Sequence, residues 1–163
     1  MTEPNRTGQD DRIRMLVGSD SAGLDYKDAI AADLREDPHV ASVVGLGATA
    51  DDPEGTSYPS VATRAGELIM AGEADRAILF CGTGIGVAIA ANKVPGIRAT
   101  VAHDSFSVER SVLSNDCHIL TMGQRVIGLQ LARRLAREWT GYRFDPRSHS
   151  AANVAEIVAY EDC

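Results

Sequence analysis

A lone cysteine followed by three glycines on alternate positions, Cys81-Gly-Thr-Gly-Ile-Gly86, is the stretch of this 163-residue chain best equipped for chemistry. Closely spaced glycines let backbone N–H groups point at one spot, and at the start of a helix those donors form a nest for an anion. The same field favours the ionised form of a neighbouring thiol, whose ordinary pKa is about 8.5. A thiolate beside oxyanion donors can remove a proton α to a carbonyl: one group takes the proton while the others hold the enediolate oxygen. Thr83 adds a hydroxyl able to relay a proton between adjacent oxygens. That chemistry calls for neither a nicotinamide nor a metal.

Other readings compete with it. A dinucleotide site uses G-x-G-x-x-G with an acidic residue about 20 positions on. Gly82, Gly84 and Asp104 imitate this, but Gly86 falls one residue early and Pro95-Gly96 interrupt the helix that should follow. No Gly-Lys-Ser/Thr follows the loop, which excludes a P-loop. The plainest reading makes Cys81 a small buried hydrophobe and the glycines the makings of a tight turn. A noncatalytic nucleotide- or sugar-phosphate-binding module would look the same.

The elements that must position this loop follow from the hydrophobic pattern. Short apolar runs alternate with segments of helical period and close on turn residues, which predicts βα units and a parallel sheet. Strands are expected at 13–18, 41–46, 76–81, 97–102 and 117–122, and helices at 23–36, 59–72, 84–92, 104–114, 126–139 and 151–161. In the fifth helix Ile127, Leu131 and Leu135 recur every four residues, away from Arg133, Arg134 and Arg137, and predict an inward stripe. Ser150 is the expected N-cap of the last helix. Ligands of open parallel sheets bind beyond the carboxyl ends of the strands, where helix N-termini converge. That singles out Asp20 and Ser21, the Cys81–Gly86 loop, His103 and Asp104, and Gly123 to Arg125.

Composition narrows the classes. With 44% hydrophobic and 24% charged residues, residues 13–163 suit a single domain with its own core. The polar stretch 1–12 is expected to be a disordered tail. A net charge of −7 without a Lys/Arg-rich run disfavours nucleic acid or an anionic membrane as partner. No segment has the apolar length of a signal sequence or a membrane span, so a cytoplasmic protein is expected. Cys81, Cys117 and Cys163 form no CxxC pair, which suits a reducing compartment and argues against a disulfide framework or a zinc site.

Several loops, in order along the chain, carry a resemblance. Gly18-Ser-Asp-Ser-Ala-Gly23, Cys81–Gly86, Ala91-Asn-Lys93 with Pro95-Gly-Ile-Arg98, Ser114-Asn-Asp116 and Gly123-Gln-Arg-Val-Ile-Gly128 resemble the ribose-5-phosphate isomerase B family. That family includes the galactose-6-phosphate isomerase subunits, and the resemblance spans residues 14–161. It implies a three-layer α/β/α, Rossmann-like fold with five parallel strands and a C-terminal helix. It also implies a homodimer with active sites at the subunit interface, acting on a phosphorylated sugar. The reaction implied is aldose–ketose isomerisation through a cis-enediol, with no cofactor and no metal. By the resemblance Cys81 is the base, and Gly82, Gly84, Ile85 and Gly86 form the anion hole. Asp20 contacts the sugar hydroxyls, while Asn115 and Arg125 contact substrate from across the interface.

The departures from that family are informative. Ribose-5-phosphate isomerases have His where this chain has Ser21, and a ring-opening His where it has Ser114. Their two C-terminal phosphate-binding arginines align with His149 and Asn153, with Arg147 close by. A pentose 5-phosphate closes to a furanose through its free O4 and must be opened. A tetrose phosphorylated on O4 cannot close that ring, so its isomerase needs no ring opener. KVPGIRA, HDSFSVER, LSND and TMGQRVIG resemble the branch of the family that acts on D-erythrulose 4-phosphate. The expected reaction is therefore D-erythrulose 4-phosphate to D-erythrose 4-phosphate, with ribose 5-phosphate as the alternative substrate.

Overall fold

The computed structural model describes residues 11–162. Of the tail expected at 1–12, residues 1–10 lie outside the described residues. Five strands, β1 (Ile13–Ser19), β2 (Val40–Gly47), β3 (Arg76–Cys81), β4 (Ala99–Val101) and β5 (Ile119–Gly123), form one parallel sheet in the order β2-β1-β3-β5-β4. The helices are α1 (Leu24–Arg35), α2 (Tyr58–Met70), α3 (Ile85–Ala91), α4 (Ser105–Leu113), α5 (Leu129–Gly141) and α6 (Ala151–Ala159).

All six residues of β3 are buried, as a central strand covered on both faces requires. Its side chains alternate between two apolar clusters. Ile78 and Phe80 pack with Ile30 and Leu34 of α1, Val108 and Val112 of α4, and Leu135 and Trp139 of α5. Ala77, Leu79 and Cys81 pack on the other face with α2 and α3, through Val61, Leu68 and Val87. This is the expected three-layer α/β/α fold. Trp139 Nε1 donates to Ser111 Oγ at 3.1 Å and ties α5 to α4 across the outer layer. No helix among the described residues is long and apolar enough to cross a membrane.

The structure corrects several local expectations. The fifth helix begins at Leu129, not 126, because residues 124–127 are held as a turn: Val126 and Ile127 donate to the Gly123 carbonyl at 3.0 and 3.3 Å. Its inward stripe is Ala132, Leu135, Ala136, Trp139 and Thr140, and Leu131 is 39% exposed. Arg133 pairs with Asp33 of α1 at 3.1 Å, so this arginine bridges two helices instead of facing open water. Ser150 does not cap α6 through its side chain; it is buried and has αR backbone angles. Val154 is the buried residue of α6, whereas Ile157 and Val158 on the same helix are exposed.

The chain moves from β1 to β2 on one side and to β3 on the other, so the carboxyl ends of β1 and β3 flank the switch point of the sheet. Such a point is where open α/β sheets bind ligands.

Candidate active site

Register brings three loops together at that end of the sheet. Ser19 lies beside Phe80, so Asp20 and Cys81 leave adjacent strands side by side. Cys81 in turn lies beside Gly123 of β5. Cys81 is only 5% exposed and packs with the second apolar cluster, while Thr83, the next side chain along the chain, is open to solvent. The thiol therefore forms the floor of the glycine loop.

The loop is wound tightly around the thiol. Gly84 has φ +79° and donates its N–H to Cys81 Sγ at 3.1 Å. Its carbonyl accepts the buried Thr121 hydroxyl at 2.7 Å. Ile85, the first residue of α3, donates to Thr83 Oγ1 at 3.2 Å. From the other side the turn after β5 clasps the loop, with Gln124 and Arg125 donating their N–H groups to the carbonyls of Cys81 and Gly82, each at 3.0 Å. The contact is close because two glycines face each other: a Cβ on Gly123 would stand 2.6 Å from Thr83 Cα, and one on Gly84 would stand 2.9 Å from the Met122 carbonyl carbon. The Arg125 guanidinium lies over Gly82, where a Cβ would be 3.3 Å from its Nη1. A cation is thus held beside the glycine loop of its own chain, which corrects the expectation that Arg125 reaches the site from across an interface.

The first loop completes the cluster. Asp20 accepts the Ala22 N–H at 3.0 Å and so caps the short 3-10 turn Ser21–Gly23. Ser21 Oγ donates to Glu54 of the β2–α2 loop at 3.3 Å. Asp104 caps α4, accepting from the Ser107 N–H at 2.7 Å. His103 takes the Gly123 N–H on Nε2 at 2.9 Å. Tyr58 was not singled out in the sequence. It opens α2, whose N-terminus converges on the same end of the sheet, and a Cβ on Gly86 would stand 2.8 Å from its ring. An aromatic at such a helix start is the signal that could have found it.

The remaining predicted residues are not in this cluster. The nine-residue helix α4 runs back from the site end, a length of about 13 Å. Ser114 and Asn115 therefore sit at the amino ends of the strands. Arg98, which precedes β4, donates to the Asn115 and Asp116 carbonyls at 2.9 and 2.8 Å. Asn115 lines a cavity of about 540 Å³ there, with Arg98, Arg110 and Ile157. Arg147 is bound to Asp145 at 3.1 Å. It stands with exposed His149 on the segment that enters α6, and exposed Asn153 lies in the first turn of that helix. Within one chain Ser114 and Asn115 thus lie at the opposite end of the sheet from the Cys81 loop.

Residues 15–157 match the ribose/galactose isomerase family. The chain belongs to that family. Among its relatives in the ribose/galactose isomerase family, D-erythrulose-4-phosphate isomerase 2 of Mycolicibacterium smegmatis is 58% identical over 151 residues, covering 91% of this chain and 97% of the relative. The D-erythrulose-4-phosphate isomerase of Pectobacterium atrosepticum is 37% identical, covering 91% and 95%. The type B ribose 5-phosphate isomerase of Leishmania infantum superposes with a TM-score of 0.86 at 31% identity, over 93% of this chain and 97% of that one.

Proposed function

We propose that this family member is an aldose–ketose isomerase that interconverts D-erythrulose 4-phosphate and D-erythrose 4-phosphate. The observation that carries the chemistry is the hydrogen bond that Cys81 Sγ accepts from the Gly84 N–H at 3.1 Å, at the turn that leads into α3. The choice of substrate is supported by the 58% identity to a D-erythrulose-4-phosphate isomerase and by serine at positions 21 and 114.

In this reading the open-chain ketose enters with its C2 carbonyl oxygen toward the loop donors of Gly82, Gly84, Ile85 and Gly86. The Cys81 thiolate takes a proton from C1, so that a C–H bond breaks, an S–H bond forms and the electron pair moves onto the carbonyl oxygen. The loop N–H groups hold the resulting enediolate. Thr83 Oγ1 shifts a proton between the two oxygens, and Cys81 returns its proton to C2 to give the aldose. Asp20 and Ser21 bind hydroxyls. Arg125 neutralises the anionic end of the substrate together with Arg147, His149 and Asn153 of a second subunit.

The separation of the two groups of residues supports a homodimer. A second copy, placing its amino-end surface over the Cys81 loop, would supply Ser114 and Asn115. Exposed Ile85, Ile89, Phe106 and Ile157 are among the apolar side chains available for such an interface. The unpaired thiols of Cys81 and Cys117 suit work in the cytoplasm.

The test is comparative kinetics on D-erythrulose 4-phosphate and ribose 5-phosphate, with solvent-deuterium incorporation into substrate as a second readout. The reading expects preference for the tetrose and loss of deuterium exchange in Cys81→Ala. Preference for the pentose transfers the same mechanism to ribose 5-phosphate. Full exchange in Cys81→Ala removes the thiol as base. Mixing Cys81→Ala with Asn115→Ala subunits should restore part of the activity, because mixed dimers contain one intact site.

A further inference from the structure

The ladder between β4 and β5 ends with Val101 beside Thr121, followed by one further bond from the Ala102 N–H to the Thr121 carbonyl at 3.3 Å. Beyond that point the buried Gly123 N–H meets the ring of His103 in place of a carbonyl, donating to Nε2 at 2.9 Å. A buried backbone donor needs a partner, and here the partner is a group that can be protonated. A donor at Nε2 fixes the neutral ring as the Nδ1–H tautomer. Gly123 is also the register neighbour of Cys81, and its Cα faces Thr83 so closely that no side chain fits between them.

We propose that His103 is a positioning residue for the isomerisation: the lone pair of Nε2 holds the Gly123 amide and, through Gly123, the Thr83–Gly84 turn that presents donors to the reacting oxygen. The role rests on the isomerase reading above, and His103 itself touches no reacting atom. Protonation of Nε2 would set one N–H against another. Gly123 would then have to move, and with no slack at Thr83 the glycine loop would move with it.

The surroundings favour the neutral ring. Burial lowers the His103 pKa from its ordinary value, against the opposing pull of the Asp104 carboxylate, which is itself engaged by the Ser107 N–H. None of the five residues of β5, the Thr83–Gly84 turn or the first turn of α4 is ionisable. Arg125, the charged residue of the next loop, lies over Gly82.

The test pairs kinetics with a readout that does not depend on turnover. In the wild-type chain, amide NMR from pH 8 to pH 5 should show Gly123, Thr83 and Gly84 shifting together with the His103 ring, and kcat should fall with the same midpoint. His103→Gln, whose side-chain oxygen can accept the same N–H, should keep kcat within a fewfold and lose that acid limb. His103→Leu should lower kcat roughly 10- to 100-fold, the cost of a misplaced catalytic loop, with KM little changed. A Gly123 amide that ignores the His103 titration overturns the proposal, and so does a folded His103→Leu protein with wild-type kcat and an unchanged acid limb. Amides that follow the ring in a protein without isomerase activity would instead sink the isomerase reading while leaving the coupling of His103 to the loop intact.

Discussion

Gly84→Ala measures how firmly the glycine loop is held against β5. At φ +79° the residue occupies the left-handed region, and a Cβ would stand 2.9 Å from the Met122 carbonyl carbon and 3.1 Å from the Gly123 nitrogen. Those are backbone atoms of a buried strand, so nothing can swing aside. The left-handed backbone costs an L-residue about 1–2 kcal/mol, and overpacking adds about 1–3 kcal/mol. Together they predict a loss of about 2–5 kcal/mol. Gly72 provides the internal control, with φ +74° and nothing within 4 Å of an added Cβ. Gly72→Ala should therefore show the backbone cost alone. Urea unfolding of both variants, compared at a common slope, isolates the contact as the difference between them. Function should follow, because Gly84 also bonds Cys81 Sγ and the Thr121 hydroxyl. The displaced turn should cost about 10²-fold in kcat, with Gly72→Ala unaffected. Equal destabilisation by the two substitutions, or full turnover in Gly84→Ala, would refute the reasoning.

Burial pushes the Cys117 thiol from 9.0 up to about 11. The unfolded chain therefore gives up a proton that the folded chain keeps, and stability should fall by about 2–3 kcal/mol as pH rises through 9 to 11. Cys117→Ala should lack that decline, and parallel wild-type and variant curves of urea midpoint against pH would contradict the assignment. Arg98→Met leaves the carbonyls of Asn115 and Asp116 and the Asp116 carboxylate without their cationic donor. It should cost about 2–4 kcal/mol, read by urea denaturation. Because Asn115 is a proposed substrate contact, KM should also rise more than kcat falls.

Much of the fold was legible because its signals are local. The run Arg76–Cys81 reads as a strand from its short apolar stretch closed by turn residues, and the order of strand, loop and helix follows from apolar period in the same way; its central, fully buried place is a feature of the structure. The same locality explains the misplaced stripe of α5. Recurrence of Ile127, Leu131 and Leu135 describes a face, but hydrogen bonds from the post-β5 turn to the glycine loop delay the helix to Leu129. Of the expected stripe Leu135 is buried, whereas Leu131 is left exposed.

For the candidate site, residue types alone determined a thiol, a set of closely spaced backbone donors and their place after a buried strand, because glycine spacing and strand ends are properties of adjacent residues. Only the tertiary structure decided which of the other candidates could join them. Sheet register sets Asp20 and Gly123 beside Cys81, whereas the return path of α4 carries Ser114 and Asn115 to the far end of the same sheet. It also decided that His103 serves the Gly123 amide and that Tyr58 lies on Gly86. Contacts between residues 20 or more positions apart are set by strand order and packing, and no short stretch of sequence contains either.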